Sequence, residues 1–387
     1  MHPIYLDHAA STFLRTEVRE VMEPLLGVPA NPSSLHRWGR RAHGMLEEAR
    51  GVVAGVLEVE AREILFVRGG TEANNLAILG RAGAVRGEGG SPHVVVSAIE
   101  HHAVLDTLEG VRSMGGRGTV LPVDAAGAPD PHALERALEN PPAVVSVMAV
   151  NNETGALPPL GEVSAACRAG GVVFHTDAVQ APGHIPLPPL ARLADLLSLS
   201  GHKTGGPVGT GILRVRRGVA LAPLLHGGGQ EWGLRPGTQD VAGAVGMAEA
   251  LRLASREQEE AHRRLTGLSA LLQGRLRAGI PGLRIHGAAG ERSPHILSVG
   301  IPGADPDLLL PALDMEGIAA SRGSACSSGA SRPSHVLEAT LGGTALEGYA
   351  PLRLSLGRDT STEEVLRAAD AVILVARRLS SEVVGST

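Results

Sequence analysis

The chain is nearly without lysine. Lys203 is the only one in 387 residues, and every other member of its 35 lysines and arginines is arginine. The two residues exchange on most exposed surfaces, but arginine cannot replace lysine where an amine must lose its proton and attack a carbonyl. The surviving lysine therefore marks a place to look for amine chemistry. Cysteine is almost as scarce: Cys167 and Cys326 are the only two, which excludes a disulfide framework and a four-thiolate zinc or iron–sulfur site. Positive charge is not in surplus either, with 35 basic against 40 acidic side chains and a net charge of −5. Nothing here draws the chain to nucleic acid. No stretch approaches the roughly 18 consecutive apolar residues of a membrane helix. MHPIYLDHAAS at the start has neither a basic leader nor an apolar signal run. The expectation is a cytoplasmic protein with no direct nucleic-acid or membrane partner.

What is present suits a large globular α/β chain. Hydrophobic residues make up 43%, and 51 glycines and 26 prolines punctuate short apolar runs without a repeat or low-complexity tract. Strands are expected at 63–67, 93–98, 143–150, 171–178 and 193–200, with 210–215 turning back as a hairpin-like partner. Their unbroken apolar character fits a sheet covered by helices on both faces. Helices are expected at 69–82, 132–140 and 160–170, and a much longer one over 239–278 with SREQEEAHRR (255–264) on its polar side. The domain change is expected there. Strands at 295–300 and 351–357 then belong to a smaller α+β unit.

Several loops concentrate chemistry. GGTEANN (69–75) follows a strand and opens a helix, with Thr71 read as a cap and the free amides as an anion site suited to phosphate. It is not a dinucleotide fingerprint, since the G-x-G-x-x-G spacing is missing. HTDAVQ (175–180) ends a strand at the edge where open α/β sheets bind ligands, offering Asp177 and Gln180. SGHKTGGPVGTG (200–211) sets Ser200, His202 and Lys203 against a glycine loop that lets a ligand approach the backbone closely. In EHHAV (100–104), adjacent His101 and His102 point to different sides, so one can stack on a flat ligand but the two do not form a metal pair. Cys326 sits among Gly, Ala and Ser with two arginines nearby, the setting of a reactive thiol; Cys167 reads as a buried small hydrophobe. Arg353, in an alternating strand, is either solvated or a carboxylate clamp.

These segments, taken with YLDHAAST (5–12), NPSSLH (31–36), NNETGALPP (151–159), GGGQEWGLRPGT (227–238), SRGSACSSG (321–329) and LRLSLGR (352–358), run end to end in one order. The chain resembles the cysteine desulfurases of the nitrogen-fixation and iron–sulfur-assembly type, a branch of the class V aminotransferase family. Two departures stand out: His8 where the family usually has Asn, and Trp232 in a loop often occupied by a polar residue. The resemblance implies an α/β, aminotransferase-like fold of pyridoxal-phosphate fold type I, with a mainly parallel sheet and a smaller α+β domain. Its large cofactor-binding domain would span 16–250. The small domain, 1–15 with 251–387, would carry the catalytic cysteine loop.

The resemblance also implies roles. Lys203 would hold pyridoxal 5'-phosphate through an imine and remove the substrate's α-proton. Asp177 would pair with the ring nitrogen, Gln180 with the ring hydroxyl, and His101 would stack on the ring and relay protons. Thr71, Ser200 and His202 would hold the phosphate, with Thr238 reaching it from the second subunit of a homodimer. Arg353, with Asn152 and Asn31, would hold the carboxylate of L-cysteine; Asn152 would also border the cofactor. Cys326 would take the sulfur as a persulfide and release alanine. The cysteine loop resembles that of the branch that hands sulfur directly to an acceptor protein, such as an iron–sulfur scaffold or a tRNA-thiolation carrier. Two rivals remain open at this stage. One keeps the cofactor but makes the enzyme an aminotransferase or selenocysteine lyase. The other is a metal-dependent hydrolase using His175, Asp177, His202 and His101 or His102.

Overall fold

The computed structural model describes residues 3–323 and 334–384. Along the chain these form β1 (Ile4–Tyr5), α1 (Thr16–Leu26), α2 (Arg37–Leu57), β2 (Ile64–Val67), α3 (Gly70–Gly87), β3 (His93–Ser97), α4 (His102–Leu105), α5 (Thr107–Ser113), β4 (Arg117–Leu121), α6 (Pro131–Leu138) and β5 (Val144–Ser146). Then come α7 (Leu160–Ala169), β6 (Val173–Asp177), α8 (Leu187–Leu193), β7 (Leu196–Ser200), β8 (Gly211–Val215), α9 (Val241–Gly279) and β9 (Arg284–Ile285). β10 (Ile296–Pro302), α10 (Pro306–Met315), β11 (Ile318–Ala319), α11 (His335–Leu341), β12 (Tyr349–Ser355) and α12 (Thr362–Val384) complete the described chain.

Seven strands form one sheet in the order β2-β8-β7-β6-β5-β3-β4. Only β8 runs against the others: it pairs antiparallel with β2 and β7, while the remaining pairs are parallel. Side chains alternate across a strand, so neighbours in sequence serve opposite faces. Val95, Val145, Leu197 and Ile212 join a core with α2, α7, α8 and the start of α9. Val94, Val96, Val144, Leu196 and Leu213 join another beneath α3 and α5. The unbroken apolar strands are thus covered on both faces, as expected of a mainly parallel sheet.

The antiparallel sheet β12-β10-β9 packs with α10, α12 and the end of α9 around a separate core that also takes Ile4 and Leu6. Helix α9 serves both cores. Ala244, Met247, Ala248 and Leu251 enter the first, whereas Leu265, Leu268, Leu272 and Leu276 enter the second at helical spacing. Its polar middle crosses between them: Gln258 Nε2 donates to the His184 carbonyl, and Glu257 pairs with Arg15.

Two expectations need correction. The strand read over 143–150 is regular only over Val144–Ser146: beyond it the Val147 and Ala149 amides still bond the His175 and Asp177 carbonyls, but the Met148 amide turns to the buried Glu100 carboxylate at 2.7 Å. Thr71 is no cap: α3 begins at Gly70 after Gly69, whose φ of 140° only glycine tolerates, and no side chain caps it. The threonine stands inside the first turn.

Candidate active site

The parallel strands end on one side of the sheet, and their following loops converge there around a cavity of about 300 Å³. Nine residues singled out in the sequence line it: Thr71, His101, Asn152, Asp177, Gln180, Ser200, His202, Lys203 and Arg353. Asn31 and Thr238 are exposed and line no part of it. Cys326 lies outside the described residues. Its described flanks stay close to the cavity's edge, since Arg353 Nη1 donates to the Gly323 carbonyl and Ser334 Oγ donates to Glu153.

Asp177, at the end of β6, is buried with both oxygens engaged. Asn74 Nδ2 donates to one at 2.7 Å and the Val179 amide to the other at 2.9 Å. Asn74 comes from the second turn of α3 and was visible in the sequence only as part of a motif. Its contact with Asp177 spans 103 residues, which no local pattern discloses. Lys203 follows β7 and its Nζ donates to the carbonyls of Ala9 and Ala10 at 2.6 and 2.8 Å. The amine is thereby held at the cavity wall by the segment after β1.

Burial lowers the pKa of both histidines that line the cavity. His101 accepts the Ala103 amide at Nδ1, and burial lowers its pKa, with Lys203 adding to the effect and Asp177 opposing it. His202 is brought down to about 4 by burial and by the neighbouring Lys203. His102 points away from the cavity, against His335. His175 does not join the cavity either: its two ring nitrogens bond Ser146 and Ser198 inside the sheet. Among the described residues no cluster of His, Cys, Asp and Glu is arranged to hold a metal ion.

Arg353 reaches the cavity from β12 in the smaller unit, almost fully buried. Nη2 pairs with Asp7 at 2.7 Å and Nη1 donates to the Asn152 carbonyl at 2.8 Å. Nε has no hydrogen-bond partner among the described residues. A guanidinium fixed at the cavity wall suits an incoming carboxylate. The first turn of α3, with Thr71 and Ser200 beside it, is equally suited to a phosphate.

A family profile described as Aminotransferase class-V matches residues 4–367. The chain is 39% identical to "Cysteine desulfurase IscS" of Dictyoglomus turgidum, over 97% of this chain and 95% of that one. It is 42% identical to "IscS-like cysteine desulfurase" of Mycobacterium tuberculosis, over 95% of each. Among solved structures it superposes on a "NIFS-LIKE PROTEIN" with a TM-score of 0.89 at 33% identity, covering 97% of this chain and all of the other. The chain belongs to the class-V aminotransferase family, and within it to the NifS/IscS-like cysteine desulfurases. Its fold is that of the fold type I pyridoxal-phosphate enzymes, and no described helix is long and apolar enough to cross a membrane.

Proposed function

We propose that this protein uses pyridoxal phosphate to split the C–S bond of L-cysteine, passing the sulfur to Cys326 and releasing alanine. The observation that carries this reading is that the chain's only lysine shares one cavity with a buried carboxylate and a fixed, buried arginine. The residues present fit the cofactor: an anion-binding helix start, a carboxylate fixed from two sides and a recessed amine. When bound, the cofactor supplies a sink for the electrons left at the substrate's α-carbon.

The protein's own groups do the rest. Thr71, Ser200 and His202 hold the phosphate, while Asp177 is kept in place for the ring nitrogen by Asn74 and Val179. His101, half-buried at the cavity wall, would lie against the ring and move protons to and from the substrate sulfur. Lys203 Nζ would hold the cofactor at rest and, once displaced by the substrate's amine, would be free to remove the α-proton. Arg353, flanked by Asn152, receives the substrate carboxylate. The Cys326 thiolate attacks the substrate sulfur; an S–S bond forms, the C–S bond breaks, and the carbon takes up a proton to leave as alanine. An acceptor protein, an iron–sulfur scaffold or a tRNA-thiolation carrier, then takes the sulfur.

A homodimer completes the site in this reading. Leu35 is 90% exposed and Val208 82%, and two tryptophans, Trp38 and Trp232, are about half exposed. Apolar surface on that scale favours burial against a second copy. Asn31 and Thr238 then serve the neighbouring subunit's cavity. The decisive experiment supplies purified protein with cofactor and L-cysteine, and measures alanine and protein-bound persulfide. Equal yields are expected from wild type, and none from Cys326→Ala without added thiol. Full turnover by Cys326→Ala, or borohydride reduction that leaves no pyridoxyl group on Lys203, overturns the proposal.

A further inference from the structure

His295 comes from the smaller unit, just before β10, yet its ring enters the larger one. The backbone there is clamped on both sides: the Leu356 amide donates to the His295 carbonyl and the Ser293 amide to the Gly155 carbonyl, each at 2.8 Å. The ring lies between Ser293 and Gln180, with Nδ1 2.7 Å from Ser293 Oγ and Nε2 3.3 Å from Gln180 Oε1. All three side chains are buried.

Donor and acceptor rules fix the direction of this chain. Gln180 Nε2 donates to the Ala9 carbonyl at 2.8 Å, and a carbonyl only accepts, so the amide oxygen is the atom facing His295. That oxygen also only accepts, so His295 carries its proton on Nε2. Nδ1 is then bare and takes the Ser293 hydroxyl hydrogen. Ser293, His295 and Gln180 donate in sequence toward Ala9, and one amide hydrogen of Gln180 is left over beside the cavity that Gln180 lines. The His184 ring is stacked on His295 at 3.5 Å and 3°, which resists rotation. Burial disfavours an imidazolium at His295, and His184, Arg353, His8 and Lys203 all add to that. The neutral ring with its fixed tautomer is the form present.

We infer that His295 is a positioning residue: with Ser293 it holds the Gln180 amide so that its remaining N–H is presented to the cofactor's ring oxygen. This rests on the proposed role of Gln180. Without the relay only the Ala9 carbonyl still orients the amide, and an amide that turned its oxygen toward the cavity would repel that ring oxygen instead of binding it.

The test is a pH titration of the visible absorbance of the holoenzyme. A donor at the ring oxygen stabilises its negative charge most when the linking nitrogen at Lys203 has lost its proton. Losing that donor therefore raises the titration midpoint. His295→Leu is expected to raise it by about half a pH unit or more, Gln180→Ala by at least as much, and the double variant by no more than Gln180→Ala alone. His295→Asn, which retains a donor, should titrate closer to wild type. Should His295→Leu not fold, Ser293→Ala decides, with a smaller rise expected. Wild-type midpoints in His295→Leu and Ser293→Ala, alongside a shifted Gln180→Ala, overturn the inference and leave the role of Gln180 standing. A wild-type midpoint in Gln180→Ala refutes the role of Gln180 itself.

Discussion

At the scale of single residues, the cavity depends on groups whose charge state burial has set. Glu100, directly before His101, is fully buried; its Oε1 accepts from Ser97 Oγ and the Met148 amide, while Oε2 has no partner among the described residues. Burial raises its pKa from 4.5 to about 8, with Asp177 adding to the rise. Between those values the unfolded chain has lost a proton that the folded chain keeps, so this group's contribution to stability falls as pH climbs through the window. Glu100→Gln retains the accepting oxygen and removes the titration. Its melting temperature should exceed that of wild type by a few degrees at pH 8, with the gap closing toward pH 5. An equal gap at both pH values would show that Glu100 is not protonated in the fold. Asn74→Ala removes one of the two donors to Asp177, and cofactor affinity should fall about tenfold, for a lost hydrogen bond to a buried charged group. Equilibrium dialysis against pyridoxal phosphate checks this. Cys167 is also legible: burial pushes its thiol up to about 12, so alkylation mapped by mass spectrometry at pH 8 should find it unmodified until the protein is unfolded.

At the scale of elements, the sequence disclosed strands that are apolar on both faces and helices with a clean stripe. It disclosed little where glycine or brevity blurs the pattern. α2 contains four glycines, which blur its buried series of Ala42, Leu46, Ala49, Val53 and Leu57. β4, RGTVL, is a short sheet-edge strand with a polar start. Lys203, Asp177 and Arg353 were readable because no other residue type does their chemistry. Asn74 and His295 were not, because their importance lies in contacts more than 100 residues away along the chain. One loop is anchored from afar in the same way. Glu231 is buried against Arg50 at 2.8 Å and accepts the Phe66 amide, while both Glu231 and Trp232 have positive φ. Glu231→Ala would remove the buried partner of Arg50 and leave its guanidinium only the half-exposed Glu47 as an acidic partner, at 3.1 Å. A loss of about 3–5 kcal/mol is expected in urea unfolding, and a loss below 1 kcal/mol would show that Arg50 finds solvent.

At the scale of the molecule, two cores share α9, and Arg353 is delivered from one of them to a cavity built mainly by the other. The proposed dimer adds a further dependence. Lys203→Ala and Thr238→Ala chains would each be impaired alone, but a mixed dimer pairs an intact Lys203 with an intact Thr238 at one of its two sites. Refolding the variants together should recover about a quarter of wild-type activity if subunits pair at random. No recovery would place Thr238 at its own chain's cavity or at neither.

The recessed position of the only lysine also governs how the chain can be cut. A protease specific for lysine has one place to cleave, leaving residues 1–203 and 204–387. With Nζ held against the Ala9 and Ala10 carbonyls, the native fold should resist it, and unfolding should give only those two pieces. A chain whose amine has been permanently capped should stay whole even in denaturant. The share of uncut chain would then count capped sites directly, one molecule at a time, without colour or turnover.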